Sequence, residues 1–145
     1  MLVERFAMLE SVLRRTLWLL LHADPVVAHL FTVQSSAGEL IDRSTQILKE
    51  AERKGRPRAS SELLAALQTA KSVLGRRNDL LHNVQMPGED FRVETWKYRR
   101  GQDDPIVIPA GLTEVRDLWF DCNEVINGLM EHQPRPPFDM PPPYL

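Results

Sequence analysis

Gly75-Arg76-Arg77-Asn78-Asp79-Leu80-Leu81-His82-Asn83-Val84 is the stretch on which the reading of this 145-residue chain turns. It closes a run with apolar residues at Leu63, Leu67, Ala70, Leu74, Leu81 and Val84, the three-and-four spacing of one helix face. The step missing from that series falls at Arg77, so a guanidinium stands where the pattern asks for an aliphatic side chain. A charge on a core-facing stripe is costly unless it is paired or used, so Arg77 calls for a carboxylate, a phosphate or a second copy of the chain. At about 100° per residue, Asn78 and His82 lie one turn apart on one flank, while Arg77 and His82 are separated by roughly 140°. The three share a groove only if the stripe is its floor.

Upstream, Leu2, Phe6, Leu9, Leu13, Leu17 and Leu20 predict a first helix to about residue 22, stopped by Ala23-Asp24-Pro25. Asp24 before Pro25 predicts the start of a second helix running to about Lys54, with a kink or break around Ser35-Ser36-Ala37-Gly38. Leu40, Ile41, Ile47, Leu48 and Ala51 resume its stripe, and Gly55-Arg56-Pro57 ends it. Ser60-Ser61-Glu62 caps the third helix, which holds the motif and is expected to end near Val84, in a turn at Met86-Pro87-Gly88. Phe91 to Tyr98 alternates bulky and polar residues and Pro105-Ile106-Val107-Ile108-Pro109 is a short apolar run, which predicts a β-hairpin with an exposed edge. A final helix carries Leu112, Val115, Leu118, Trp119, Cys122, Val125, Ile126, Leu129 and Met130, on a face wide enough for both a core and a partner. The segment from Gln133 to Leu145 holds six of the chain's eleven prolines and reads as extended. The expected fold is all-α: an antiparallel bundle of four to five helices over residues 1–132, with a small hairpin insertion at about 91–109 before the last helix, and a Pro-rich tail over 133–145.

With 43% apolar residues the chain is expected to form one domain with a real core. Its net charge is −2 and its pI about 6.1, so it lacks the overall positive field of a non-specific nucleic-acid binder, and any RNA site must be local. The local basic runs are Arg53 to Arg58, Arg76-Arg77 and Lys97-Tyr98-Arg99-Arg100. The single Cys122 excludes an internal disulfide and fits a core position. Leu17 to Leu21 is too short to span a bilayer and lacks the flanks of a cleaved signal, so a cytoplasmic, non-membrane protein is expected.

Arg77-Asn78-x-x-x-His82 resembles the Arg-x4-His motif of the HEPN superfamily, small α-helical proteins many of which are metal-independent endoribonucleases. The polar residue after the arginine, the Leu80-Leu81 pair before the histidine and the place late in a long third helix extend the likeness over about residues 1–132. The resemblance implies a homodimer that joins two motifs at one cleft, an RNA substrate, and no metal or other cofactor. It also implies work as a toxin or phage-defence effector, with an antitoxin or neutralising protein as a further partner. In that chemistry an RNA 2′-OH attacks the adjacent phosphate, with His82 as general base or acid, Arg77 stabilising the phosphorane and Asn78 orienting the imidazole or the phosphate. Toxins of the superfamily that pair with a nucleotidyltransferase often carry Tyr two residues after the histidine. Val84 stands there instead, which weighs against that partnership.

Beside the catalytic candidates Arg77, Asn78 and His82, the residues read as substrate-binding are Arg76, Trp96, Lys97, Arg99 and Arg100, with Tyr98 placed to share a strand face with Trp96. Packing of Trp96 and Tyr98 against the bundle is the competing role. Neither a His-x-x-x-His nor a Glu-x-x-His spacing occurs, and neither a Gly-rich phosphate loop nor a nucleophile elbow is present. His22 and His132 read as helix-end residues, and Pro141-Pro142-Pro143-Tyr144 matches a short WW-ligand pattern. Two rival functions stand beside the nuclease: a non-catalytic module that binds a protein partner, and a site that binds a nucleotide at Arg77 without turnover.

Overall fold

The computed structural model describes residues 2–55, 61–82, 84–87 and 93–135. Arg56 and Arg58 of the first basic run, Ser60, the opening hairpin residues Phe91 and Arg92, and the tail beyond residue 135 with its Pro-Pro-x-Tyr pattern lie outside the described residues. The elements are α1 (Leu2–Leu21), α2 (Pro25–Thr32), α3 (Ala37–Arg53), α4 (Ser61–His82), β1 (Val84–Pro87), β2 (Val93–Lys97), β3 (Ile106–Pro109) and α5 (Leu112–His132). The all-α bundle expected from the periodicity is the observed architecture.

Local chemistry sets the helix boundaries. His22 takes the left-handed conformation, φ 51°, that closes a helix, and the Asp24 carboxylate then accepts from the amides of Val26 and Val27 with Pro25 in the first turn. The irregularity foreseen near Ser35 is a full break. Ser36 Oγ accepts from the Glu39 amide at 3.3 Å and Glu39 Oε2 accepts from the Ser36 amide at 2.7 Å, a reciprocal capping box that restarts the chain as α3.

The core is built from α1, α3, α4 and α5, with Leu9, Leu13, Leu20, Leu40, Leu63, Leu67, Leu118 and Leu129 removed from solvent. Burial of each such side chain contributes about 1.5–3 kcal/mol. Asp42 of α3 pairs with Lys71 of α4, while Arg76 and Ala66 of α4 face Asp121 and Gly128 of α5, so α4 runs antiparallel to α5. By contrast α5 runs in the same direction as α1. Cys122 Sγ lies 3.7 Å from the Arg5 carbonyl, and farther along Gln133 Nε2 donates to Thr16 Oγ1 and the Val12 carbonyl.

The expected hairpin is larger than its two strands. Val84–Pro87, assigned from the sequence to the end of a helix and a turn, forms β1 instead and pairs antiparallel with β2, Val84 opposite Trp96 and Pro87 opposite Val93. β2 pairs in turn with β3, Lys97 opposite Ile106 and Glu94 opposite Pro109, giving a three-stranded sheet in the order β1-β2-β3. Pro87 cannot continue a helix, and β2 offers the extended chain a ladder. β3 is an edge strand with Pro109 at its end, the position a proline tolerates. Among the described residues no helix is long and apolar enough to cross a membrane.

Candidate functional site

The site is built on the last two turns of α4. The buried residues of that helix are Leu63, Leu67, Ala70, Val73 and Leu80. Leu81, placed in the stripe by its sequence spacing, is 54% exposed, so the buried face is rotated by one residue from Leu74 and Leu81 to Val73 and Leu80. Arg77 keeps its place in the corrected series, four residues after Val73 and three before Leu80.

What Arg77 meets there is an aromatic ring. Its Cζ lies 5.2 Å from the centroid of Phe6 on α1, and Nη1 donates to Asn78 Oδ1 at 3.4 Å. A cation over a phenyl face is worth about 0.5–1 kcal/mol where water still has access. Among the described residues no carboxylate lies within ion-pair distance of Arg77. Its neighbour Arg76 takes Asp121 of α5, an exposed pair of little energetic weight. Arg77 lines a cleft of about 80 Å³ with Leu2 of α1, Leu80 and Leu81 of α4, Ala110, and Val115 and Leu118 of α5. Leu112, two residues past Ala110, is almost fully exposed. A half-buried guanidinium in an apolar cleft faces less competition from water and therefore attracts an anionic ligand more strongly than an open one.

The structure brings Arg77 and Asn78 together but not Arg77 and His82. His82 is the last residue of α4, exposed, and not part of the cleft wall, as the angle between the two positions requires. Asn78 and His82 remain one turn apart, both exposed. One chain therefore offers two half-sites on different sides of the helix end, roughly 140° apart.

The sheet flanks this end. Lys97 of β2 forms an ion pair with Asp79 of α4, both side chains partly buried, and the half-buried Trp96 donates from Nε1 to Glu94 Oε2 at 3.3 Å. These two sequence candidates are thus committed to partners within the chain. Tyr98, Arg99 and Arg100, just beyond β2, are exposed. Their turn is held by Gly101 at φ 84° and by the Gln102 amide donating to the Arg99 carbonyl at 3.1 Å.

Phe6, Asp79, Asp121 and Glu94 are the site neighbours that the sequence did not mark. Phe6 is one member of a regular apolar stripe, and nothing local distinguishes it from Leu9 or Leu13. His29 lies edge-on to Trp18 at 6.2 Å between centroids, and Trp18 is twelve residues along α1 from Phe6, so His29 is remote from the cleft. His132 ends α5 and His22 closes α1. Cys122 is buried against α1, and loss of water pushes its thiol pKa above the ordinary value. Among the described residues no group of three or more His, Cys, Asp or Glu side chains converges as metal ligands would. Comparison with protein-family models, with curated proteins and with solved structures finds no match to this chain.

Proposed function

We propose that this protein is a metal-independent endoribonuclease of HEPN type, acting as a toxin or phage-defence effector and cutting RNA by 2′-OH attack. The observation that carries the proposal is the half-buried Arg77, resting on Phe6 and Asn78 with no carboxylate partner among the described residues, at the end of the helix that terminates in His82. An internal ion pair would have left Arg77 a structural residue. Its charge instead remains available to a phosphate.

The chemistry follows from the three side chains. The His82 imidazole takes the 2′-OH proton or gives one to the leaving 5′-oxygen, and the guanidinium opposes the extra negative charge of the phosphorane. Asn78, in reach of the guanidinium and one turn from His82, orients either group. Because Arg77 and His82 point to different sides of α4, a complete site takes Arg77 from one copy and His82 from the other, which makes a two-fold homodimer the working form.

The test is cleavage of a mixed-sequence RNA by purified protein in excess EDTA, beside Arg77→Ala and His82→Ala. Cutting by the wild type alone, leaving 2′,3′-cyclic phosphate ends, is the expected result. Equal background from all three sinks the reading for that substrate.

A second reading is favoured by the apolar surface around the cleft, where Leu81 and Leu112 are exposed. In it the groove binds a protein partner without catalysis, and complex formation survives His82→Ala. Nucleotide binding at Arg77 without turnover is the third. Stabilisation by a nucleotide that is lost in Arg77→Ala and kept in His82→Gln would distinguish it.

A further inference from the structure

We infer that Tyr98, Arg99 and Arg100 form an arm that holds a single-stranded RNA segment flanking the cut nucleotide, an inference that rests on the ribonuclease reading for its ligand. The placement comes from the sheet register. β1 begins two residues after His82 and pairs Val84 with Trp96, so the chain beyond Trp96 continues past the start of β1 toward the last turn of α4. The Lys97–Asp79 ion pair fixes that course, since Asp79 is the residue after Asn78.

The base of the arm is closed to a ligand and its tip is open. Trp96 is held by Glu94 and Lys97 by Asp79, each partly buried. Tyr98, the first residue beyond the end of β2, is 57% exposed. Arg99 and Arg100 follow it, exposed, and among the described residues no carboxylate lies within ion-pair distance of either. The left-handed Gly101 and the Arg99–Gln102 hydrogen bond pre-form the turn, which lowers the entropy lost when a ligand is gripped.

An exposed phenol ring followed by two free guanidinium groups suits a base stacked on the ring and phosphates on the cations. Stacking on a side chain needs an unpaired base, so the ligand is single-stranded. Asp103 and Asp104 lie on the returning limb of the turn, opposite Arg100 and Arg99 if the β2–β3 register is continued. They oppose a polyanion on that limb, so the arm is cationic on its outgoing limb only.

The experiment measures binding of a labelled unstructured RNA, and of a duplex of the same sequence, by the full chain carrying His82→Ala, across a salt series in EDTA. Tyr98→Ala is expected to weaken single-strand binding about tenfold or more, with Tyr98→Phe retaining it. The double variant Arg99→Ala, Arg100→Ala is expected to make the slope of log affinity against log salt shallower by about 1.4, roughly 0.7 for each lost phosphate contact. Asp103→Asn with Asp104→Asn is expected to tighten binding. Affinity and slope unchanged in the Tyr98→Ala and arginine variants, or equal binding of the duplex, would overturn the arm. RNA cutting that needs Arg77 and His82, in a chain whose arm variants bind normally, sinks the arm and leaves the nuclease. Arm-dependent binding in a chain that never cuts does the reverse.

Discussion

The Arg77 guanidinium lies over the Phe6 ring, 5.2 Å from its centroid, so a cation on the buried stripe of α4 rests on an aromatic face and not on a carboxylate. A neutral support holds the side chain without neutralising it. Arg77→Leu, which puts an aliphatic side chain where the apolar spacing asks for one, is therefore expected to leave unfolding free energy within about 1 kcal/mol of wild type. The exposed His82→Ala change is expected to cost less than about 0.5 kcal/mol. Both are expected to abolish RNA cutting. Urea titration alongside the cleavage assay checks this, and a collapse in stability would show that Arg77 serves the fold.

The opposed directions of Arg77 and His82 make a sharper prediction about assembly. If each site takes one residue from each copy, a mixed dimer of Arg77→Ala and His82→Ala chains has one intact site and one empty of both residues. Re-equilibrated in equal amounts, the two inactive proteins are expected to recover about a quarter of wild-type activity, since half of the dimers are mixed and each carries one of two sites. No recovery, in a preparation shown to contain mixed dimers, would place a complete site within one chain.

Gly75 sits inside α4, two residues before Arg77, and a Cβ there would point into open space clear of its neighbours in the fold. Gly75→Ala is expected to stabilise the protein by about 0.5–1 kcal/mol through helix propensity alone. Thermal unfolding reads the gain, and an unchanged or lowered midpoint would contradict the open surface described for this position.

The capping box gives a prediction in pH. The Ser36 amide, with the Ser36 hydroxyl behind it, holds the Glu39 carboxyl below its ordinary value of 4.5. A folded-state pKa lower than the unfolded one means that the contribution is complete above about 4.5 and is lost as pH falls through the lowered value. Glu39→Gln is expected to flatten the acid limb of a stability-against-pH curve by lowering its plateau near neutrality, with the two curves meeting at low pH. Ser36→Ala removes the other half of the box and is expected to cost about 1 kcal/mol. Acid limbs that superimpose for wild type and Glu39→Gln would remove the carboxylate from the account.

Cys122 lies in the interface of α5 with α1, its pKa raised by burial. Alkylation at mildly alkaline pH is expected to be slower than in denaturant by about a hundredfold or more, and to track unfolding across a urea series. Rapid modification of the folded protein would mean that this interface opens far more readily than its packing implies.

Much of this was readable residue by residue. The α1 stripe from Phe6 to Leu20, the stop at Asp24-Pro25 and the buried Cys122 follow from spacing and local chemistry, and the kink or break expected near Ser35 is a break, made by the Ser36–Glu39 capping box. Val73-Leu74 and Leu80-Leu81 show where such reading stops. Each is a pair of adjacent apolar residues, and which member faces inward is decided by α1 and α5. β1 was illegible for a related reason: four residues ending in proline make a strand only because β2 lies beside them. The aromatic support beneath Arg77 is likewise a contact across 71 positions of sequence, from 6 to 77.

A single residue separates the end of α4 from the start of β1 in the chain. Fraying of the last helical turn must pull Val84 away from Trp96, and separation of the strands must loosen His82. The two therefore open as one cooperative unit, and amide protons on both sides of the junction are expected to exchange at a common rate. Anything that grips the far end of β2 damps that shared fluctuation, and steadies the imidazole without moving a single backbone atom.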